Sequence, residues 1–411
     1  MLKLTSLTGL LLFILTTWLI SSNRPKFPWR TVIWGVLLQF IVAIFILKTT
    51  FGLQVFNFAQ RAVDKLNSFA VEGSTMVFGP LANATLLTDK FGAGNGFILG
   101  ISVFSTIVVI SALSSLLYHW GWLQRVVQGV AFIMQRTMKT SGSESLVAAA
   151  NIFMGQTEAP LVIKPYLASM TRSEMLVVMI TGMATIAASV LAAYVYLGVK
   201  AGHLLTASVM SAPAALVISK IMIPETEPRD EERINAAASE KVAINSIDAL
   251  CLGASDGLKL ALNVFAMLVA FVATVALANY LVGLVGRVFH FQLSLQQFFG
   301  WLNAPFAWLI GIAPKDCMLT GQILGERIVL NEFVGYLSLM KNQSLMDERS
   351  FNLMTYALCG FANFGSIAIQ IGGIGALVPD RRRDLAQLGF RAMIGGLLAC
   401  YMTAAVAGTL L

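Results

Sequence analysis

The chain has 411 residues, of which 57% are apolar and only 12% charged, about half the charge of an ordinary soluble protein, and its mean hydropathy is +0.76; such a chain belongs in a bilayer. Its 28 Lys and Arg against 21 Asp and Glu give a net charge of +7. No basic run is interleaved with aromatic residues, so nucleic acid is excluded as a partner and the basic excess is assigned to cytoplasmic loops.

A spanning helix needs roughly 20 mostly apolar residues. Segments 4–20, 31–49, 97–118, 173–198, 204–222, 258–288, 351–378 and 385–410 meet that test and predict eight transmembrane helices. The first reads as a retained helix rather than a signal peptide, because Leu19-Ile20-Ser21-Ser22 lacks a small-x-small cleavage site. Arg24, Lys26 and Arg30 crowd the first loop and Arg381, Arg382, Arg383 and Arg391 the last. Both loops are therefore expected in the cytoplasm and both termini outside, which agrees with an even number of spans. Residues 55–70 and 120–139 carry apolar faces with charges at helical spacing and read as helices lying along the interface. Pro224 to Lys241 is dense in charge and reads as a cytoplasmic connector.

Segments 143–170 and 314–342 are different. Each has two apolar arms of about 12 residues, too short to span, meeting at a polar break that contains a carboxylate. That pattern predicts a re-entrant hairpin. In the first, Gly155-Gln156-Thr157-Glu158-Ala159-Pro160 ends one arm at glycine and opens the next at proline. In the second, Asn331 can cap the arm that begins Glu332-Phe333.

After each hairpin comes a span interrupted by small and polar residues, Thr181 to Ser189 and Cys359 to Ser366. Three spans separate the hairpins, so the first should enter from the cytoplasm and the second from outside, as in an inverted repeat. Paired interrupted helices in opposed halves point to a solute site near the midplane, where unwound backbone can coordinate solute and ion. Glu158 and Glu332 are costly at that depth, roughly 2.5–3.5 kcal/mol on insertion scales. Each either binds a solute or is held by helix-start amides as a tip cap. The neighbouring polar groups, Gln156 and Thr157 beside one and Asn331 beside the other, favour ligand binding.

Cys251, Cys317, Cys359 and Cys400 are dispersed, and His119, His203 and His290 form no ligand set. Neither a disulfide framework nor a resident metal is expected, and the histidines read as interface residues. An intramembrane enzyme using Glu158 and Glu332 as acid and base lacks a nucleophile or metal set. A channel has no need of two inverted hairpins around one site.

GQTEAP at 155–160, TASVMSAPAALVISKIMIPETE at 206–227, NEFVGY at 331–336 and GFANF at 360–364, in that order, resemble the concentrative nucleoside transporter family in its eight-span bacterial form. The resemblance spans most of 95–411, and the first two helices share only hydropathy with the family. It implies an all-α elevator-type transporter, a homotrimer in the bacterial inner membrane, taking up nucleosides such as uridine with a coupling cation. The implied division is scaffold and interfacial helices at 1–142, then the first hairpin, broken helix, following span and connector at 143–257. A scaffold helix and interfacial helix follow at 258–313, and the second hairpin, broken helix and last span at 314–411. Gln156, Thr157 and Glu158, with Val190 beside them, would contact the base. Phe361 would pack on the solute, and Glu332, Asn363 and Ser366 would hold the ribose. Sodium would be bound by the side chains of Asn151 and Thr185 and the carbonyls of Met154 and Ile186, with a proton as the alternative coupling ion. Many relatives have serine where Gly365 stands, which bears on substrate range.

Overall fold

The computed structural model describes residues 1–91, 98–227, 243–288 and 294–411. The described residues form helices joined by turns: α1 (Leu2–Leu19), α2 (Trp29–Lys48), α3 (Thr50–Phe78), α4 (Ala84–Phe91), α5 (Leu99–His119), α6 (Trp122–Met138), α7 (Gly142–Ala150), α8 (Ala159–Val162) and α9 (Arg172–Ala184). They continue as α10 (Ala188–Tyr196), α11 (Ala201–Met222), α12 (Ser246–Val288), α13 (Leu295–Ile310), α14 (Cys317–Val329), α15 (Glu332–Lys341), α16 (Glu348–Ala357), α17 (Phe364–Leu377) and α18 (Arg382–Leu410). Most of the charged connector, 228–241, and His290 lie outside the described residues.

Seven stretches among the described residues are long and apolar enough to cross a membrane: α1, α2, α5, α9 with α10, α11, α12, and α18 with its preceding turn. The eighth expected span is the pair α16 and α17, divided at 358–363. The other broken span divides at 185–187, between α9 and α10. The first break falls within the small and polar run identified in the sequence, and the second begins one residue before its run. At 43 residues α12 is longer than its apolar segment; it extends about 65 Å, roughly twice the hydrocarbon thickness.

α9, α10, α11 and, from Ala392 onward, α18 are almost wholly buried and form the centre of the molecule. α1, α2 and α12 keep large apolar side chains outward, among them Leu11, Ile33, Ile41, Leu262, Val269 and Leu277. That is the surface a bilayer requires, since backbone groups are satisfied within each helix while apolar side chains meet lipid. The 55–70 and 120–139 segments lie in α3 and α6, whose polar and apolar faces are segregated.

The hairpins differ in regularity. In the second, α14 and α15 are full helices and Asn331 caps α15 as expected, its Oδ1 accepting from the Val334 amide at 3.0 Å. In the first, α7 is a regular arm opened by a capping box at Ser141 and Glu144, but the returning arm is one short turn, α8, followed by a 3₁₀ turn at Lys164–Tyr166. Pro160 starts the returning arm within its first turn, and Pro165, five residues on, removes an amide and crowds the turn before it, which accounts for the early end of α8.

Candidate solute and cation site

The tip of the first hairpin lies against the first break. The Ala188 amide donates to the Phe153 carbonyl at 3.1 Å, and a Cβ at Gly155 would lie 3.5 Å from that of Ala187. Met154 sits between Phe153 and Gly155 in this contact, and Ile186 immediately precedes Ala187. Behind them Asn151, fully buried, donates through Nδ2 to Thr181 Oγ1 at 3.1 Å and to the Val147 carbonyl at 3.0 Å. Thr185 Oγ1 donates to the Thr181 carbonyl at 2.8 Å. The remaining Asn151 acceptor, Oδ1, is buried without a hydrogen bond.

A buried unpaired amide oxygen is costly, and here it lies on a hairpin packed against a break whose Thr185 hydroxyl keeps acceptor capacity. These are neutral hard oxygens, the ligand class suited to an alkali cation and unsuited to a soft transition metal. The residues fit a sodium ion. Thr181, which orients Asn151, was not among the sequence candidates, although it lies one helical turn before Thr185.

The second polar group joins the two repeats. Gln156 Nε2 donates to Ser366 Oγ on α17 at 3.1 Å. Gln370 Nε2 donates to Gln156 Oε1 at 3.2 Å and to the Met179 carbonyl at 3.0 Å. Nearby in sequence, Asn363 caps α17, its Oδ1 accepting from the Ser366 amide at 2.8 Å. The Asn363 amide then donates to Glu332 Oε2 at 3.1 Å, and the Tyr194 hydroxyl donates to Glu332 Oε1 at 3.0 Å. Each of these residues is at most 7% exposed. Glu332 is therefore engaged across elements by two donors, and the capping of its own arm is left to Asn331.

Glu158 stands apart. Its Oε2 accepts from the Gly155 amide at 3.3 Å, which closes the hairpin tip, and the residue lines a cavity of about 730 Å³ together with Ser189, Lys164 and Asp256. Thr157 reaches α17, where a Cβ on Gly373 would lie 3.0 Å from its Cγ2. Val190 is buried on α10, one turn before Tyr194, and Phe361 is half-buried in the second break. Tyr194 and Gln370 were not among the sequence candidates. Both were accessible by helical periodicity, since they follow Val190 and Ser366 by four residues and share their faces.

Models of the Na+ dependent nucleoside transporter amino- and carboxyl-terminal regions match residues 8–81 and 203–408, and a nucleoside recognition model matches 100–200. An uncharacterized transporter of Haemophilus influenzae is 41% identical over 98% of this chain and 97% of its own length. The chain belongs to the Na+ dependent nucleoside transporter family. Solute carrier family 28 member 3 of Eptatretus stoutii is also 41% identical, and this chain spans 60% of that relative's length. A solved structure of CNTnw in an inward-facing, substrate-bound state superposes with a TM-score of 0.94 at 37% identity, covering 100% of this chain and 98% of that one. The described residues have the all-helical fold of that structure, and the family consists of transporters, not enzymes. The amino-terminal model reaches residue 8, so the first two helices share more with the family than hydropathy.

Proposed function

We propose that this protein is a sodium-coupled symporter that imports nucleosides across the bacterial inner membrane by elevator movement. The hairpins and broken helices would form the moving transport domain and the remaining helices a scaffold in a homotrimer, with both termini outside. The observation that carries the solute reading is the polar cluster joining Gln156, Ser366, Asn363 and Glu332 across the two repeats. Its chemistry suits a nucleoside in two parts. An amide such as Gln156 complements the mixed donors and acceptors of a base edge, and the paired oxygens of Glu332 suit the vicinal ribose hydroxyls. Thr157, Glu158 and Val190 would complete the base side, with Phe361 packing on the solute.

In this reading the sodium ion is cargo, taken by Asn151 and Thr185 with the Met154 and Ile186 carbonyls. The unpaired Asn151 oxygen supports that role. One cation crossing 100 mV supplies about 2.3 kcal/mol, enough for roughly fifty-fold accumulation. The deciding experiment is uridine uptake into proteoliposomes under imposed gradients. Uptake driven by sodium is expected; uptake driven by protons in sodium-free buffer would reject the coupling ion, and downhill flux alone would reject the symporter.

A further inference from the structure

Arg327 lies in the apolar first arm of the second hairpin and is fully buried. Its Nη1 donates to the Ala357 carbonyl at 2.5 Å, and its Nη2 donates to the Gly360 carbonyl at 3.3 Å and to Cys400 Sγ at 3.1 Å. Ala357 ends α16, and Gly360 lies in the break before α17. The last carbonyls of a helix have no partners within it and carry the negative end of its dipole. The guanidinium therefore sits where the broken helix concentrates negative charge.

The same hairpin treats the other side of the break in the opposite sense. Glu332 accepts from Asn363, the cap of α17, so a carboxylate is held at the helix start and an arginine at the preceding helix end. The first repeat lacks half of this arrangement. Its break follows the end of α9, and the hairpin offers there the neutral Asn151, with one oxygen unpaired. The second break packs on the end of α9, just before the first break: a Cβ on Gly360 would lie 2.7 Å from the Met183 carbonyl. The Cys400 thiol, on α18, reaches the Cys359 carbonyl at 3.4 Å and the Ala184 carbonyl at 3.7 Å.

We infer that Arg327 is a built-in counterpart of the coupling ion, a fixed cation that holds the second break in its solute-binding shape as the bound sodium holds the first. The second repeat then needs no ion of its own, and Arg327 positions Phe361 and Asn363 without touching the solute. The inference rests on the sodium and nucleoside reading above.

The test is sodium-dependent uridine binding to the purified full-length protein carrying Arg327→Lys, Arg327→Gln or Arg327→Ala, with and without added guanidinium. Sodium-dependent binding by the unaltered protein is the control, and its absence would refute the functional reading rather than this one. Arg327→Lys, which keeps the charge, should bind within about threefold of the unaltered protein, whereas the neutral variants leave the carbonyls unpaired and should lose about tenfold or more. Guanidinium should restore binding to Arg327→Ala alone, an effect a merely structural side chain would not give. Unaltered affinity in Arg327→Gln, equal losses in the Lys and Gln variants, or no response of a folded Arg327→Ala to guanidinium would each overturn the inference. Should the neutral variants fail to fold, Arg327→Lys decides: retained affinity supports the fixed cation, and a loss of about tenfold or more overturns it.

Discussion

Gln156 and Ser366, 210 positions apart in the chain, share a hydrogen bond of 3.1 Å that ties the first hairpin to the second broken helix. Gln370 takes the other end of the same amide at 3.2 Å. One side chain thus reports on both repeats, and the two halves of the polar cluster cannot separate without breaking its bonds.

Replacing Gln156 with alanine should reorder the affinities for uridine, cytidine and adenosine. The change removes both functions of the amide and leaves Ser366 and Gln370 short of a partner, at a cost of about 1–3 kcal/mol. The ratio between a ribonucleoside and its deoxy analogue should hold, because Glu332 keeps both its partners. Competition binding with these three ribonucleosides and one deoxy analogue measures both quantities, and an unchanged base ranking would contradict the assignment.

Glu332→Gln conserves volume but exchanges an acceptor oxygen for a donor that faces Tyr194 or Asn363, both of which already donate. Ribonucleoside affinity should fall by about 1–3 kcal/mol, with deoxynucleosides less affected. Tyr194→Phe should cost less, since it leaves the carboxylate intact and keeps the ring against Tyr336, 4.2 Å away between centroids. Equal losses in the two variants would mean that the carboxylate serves only to hold Tyr194.

The contrast between Asn331 and Arg327 shows what the sequence could yield. Asn331 acts locally: an asparagine ahead of a carboxylate and an apolar run predicts a cap, and the cap is there. Arg327 acts through carbonyls 30 and 33 positions away, and nothing in its neighbours specifies them. The spans, the breaks and the paired hairpins were legible for the same local reason, as lengths and interruptions of apolar runs. The irregular return of the first hairpin was half-legible, since both prolines were in view but their combined effect depends on packing. Which polar residues pair across repeats is decided by helix packing, so Gln370 and Tyr194 emerged only with the fold, although their four-residue spacing from Ser366 and Val190 was available.

Asn151→Ala and Thr185→Ala should raise the sodium concentration needed for half-maximal uridine uptake while leaving recognition at saturating sodium close to unaltered. Asn151 carries the larger expected effect, because its Oδ1 is the buried acceptor without a partner, whereas the Thr185 hydroxyl is partly committed to the Thr181 carbonyl. Sodium titrations of uptake, repeated at several uridine concentrations, separate the two parameters. A fall in uridine affinity with an unchanged sodium dependence would place these residues in the solute site instead.

A charged cluster at the ends of three helices makes stability depend on acid. Lys220, 2% exposed near the end of α11, pairs with Glu144 and donates to Glu225 Oε2 at 3.4 Å and to Ser173 Oγ at 2.9 Å. Glu144 and Glu174 are the glutamates of the capping boxes that open α7 and α9, so the cluster fastens the base of the first hairpin and the start of the broken helix to α11. Burial alone would raise the pKa of Glu225, which lies beyond the end of α11, but Lys220, the Thr171 hydroxyl and the Glu227 amide outweigh it and hold the carboxyl below its ordinary 4.5. A carboxylate with a lowered folded pKa stabilises fully above its unfolded value and loses that contribution as pH falls through the folded one. The thermal midpoint of the unaltered protein should therefore exceed that of Glu225→Gln by a constant margin from about pH 8 to about pH 5, and the margin should shrink in more acidic buffer. Carboxylates outside this cluster titrate alike in both proteins and cancel in the difference. A margin that widens on acidification, or none at neutral pH, would mean that Glu225 takes no part in fastening the three helix ends.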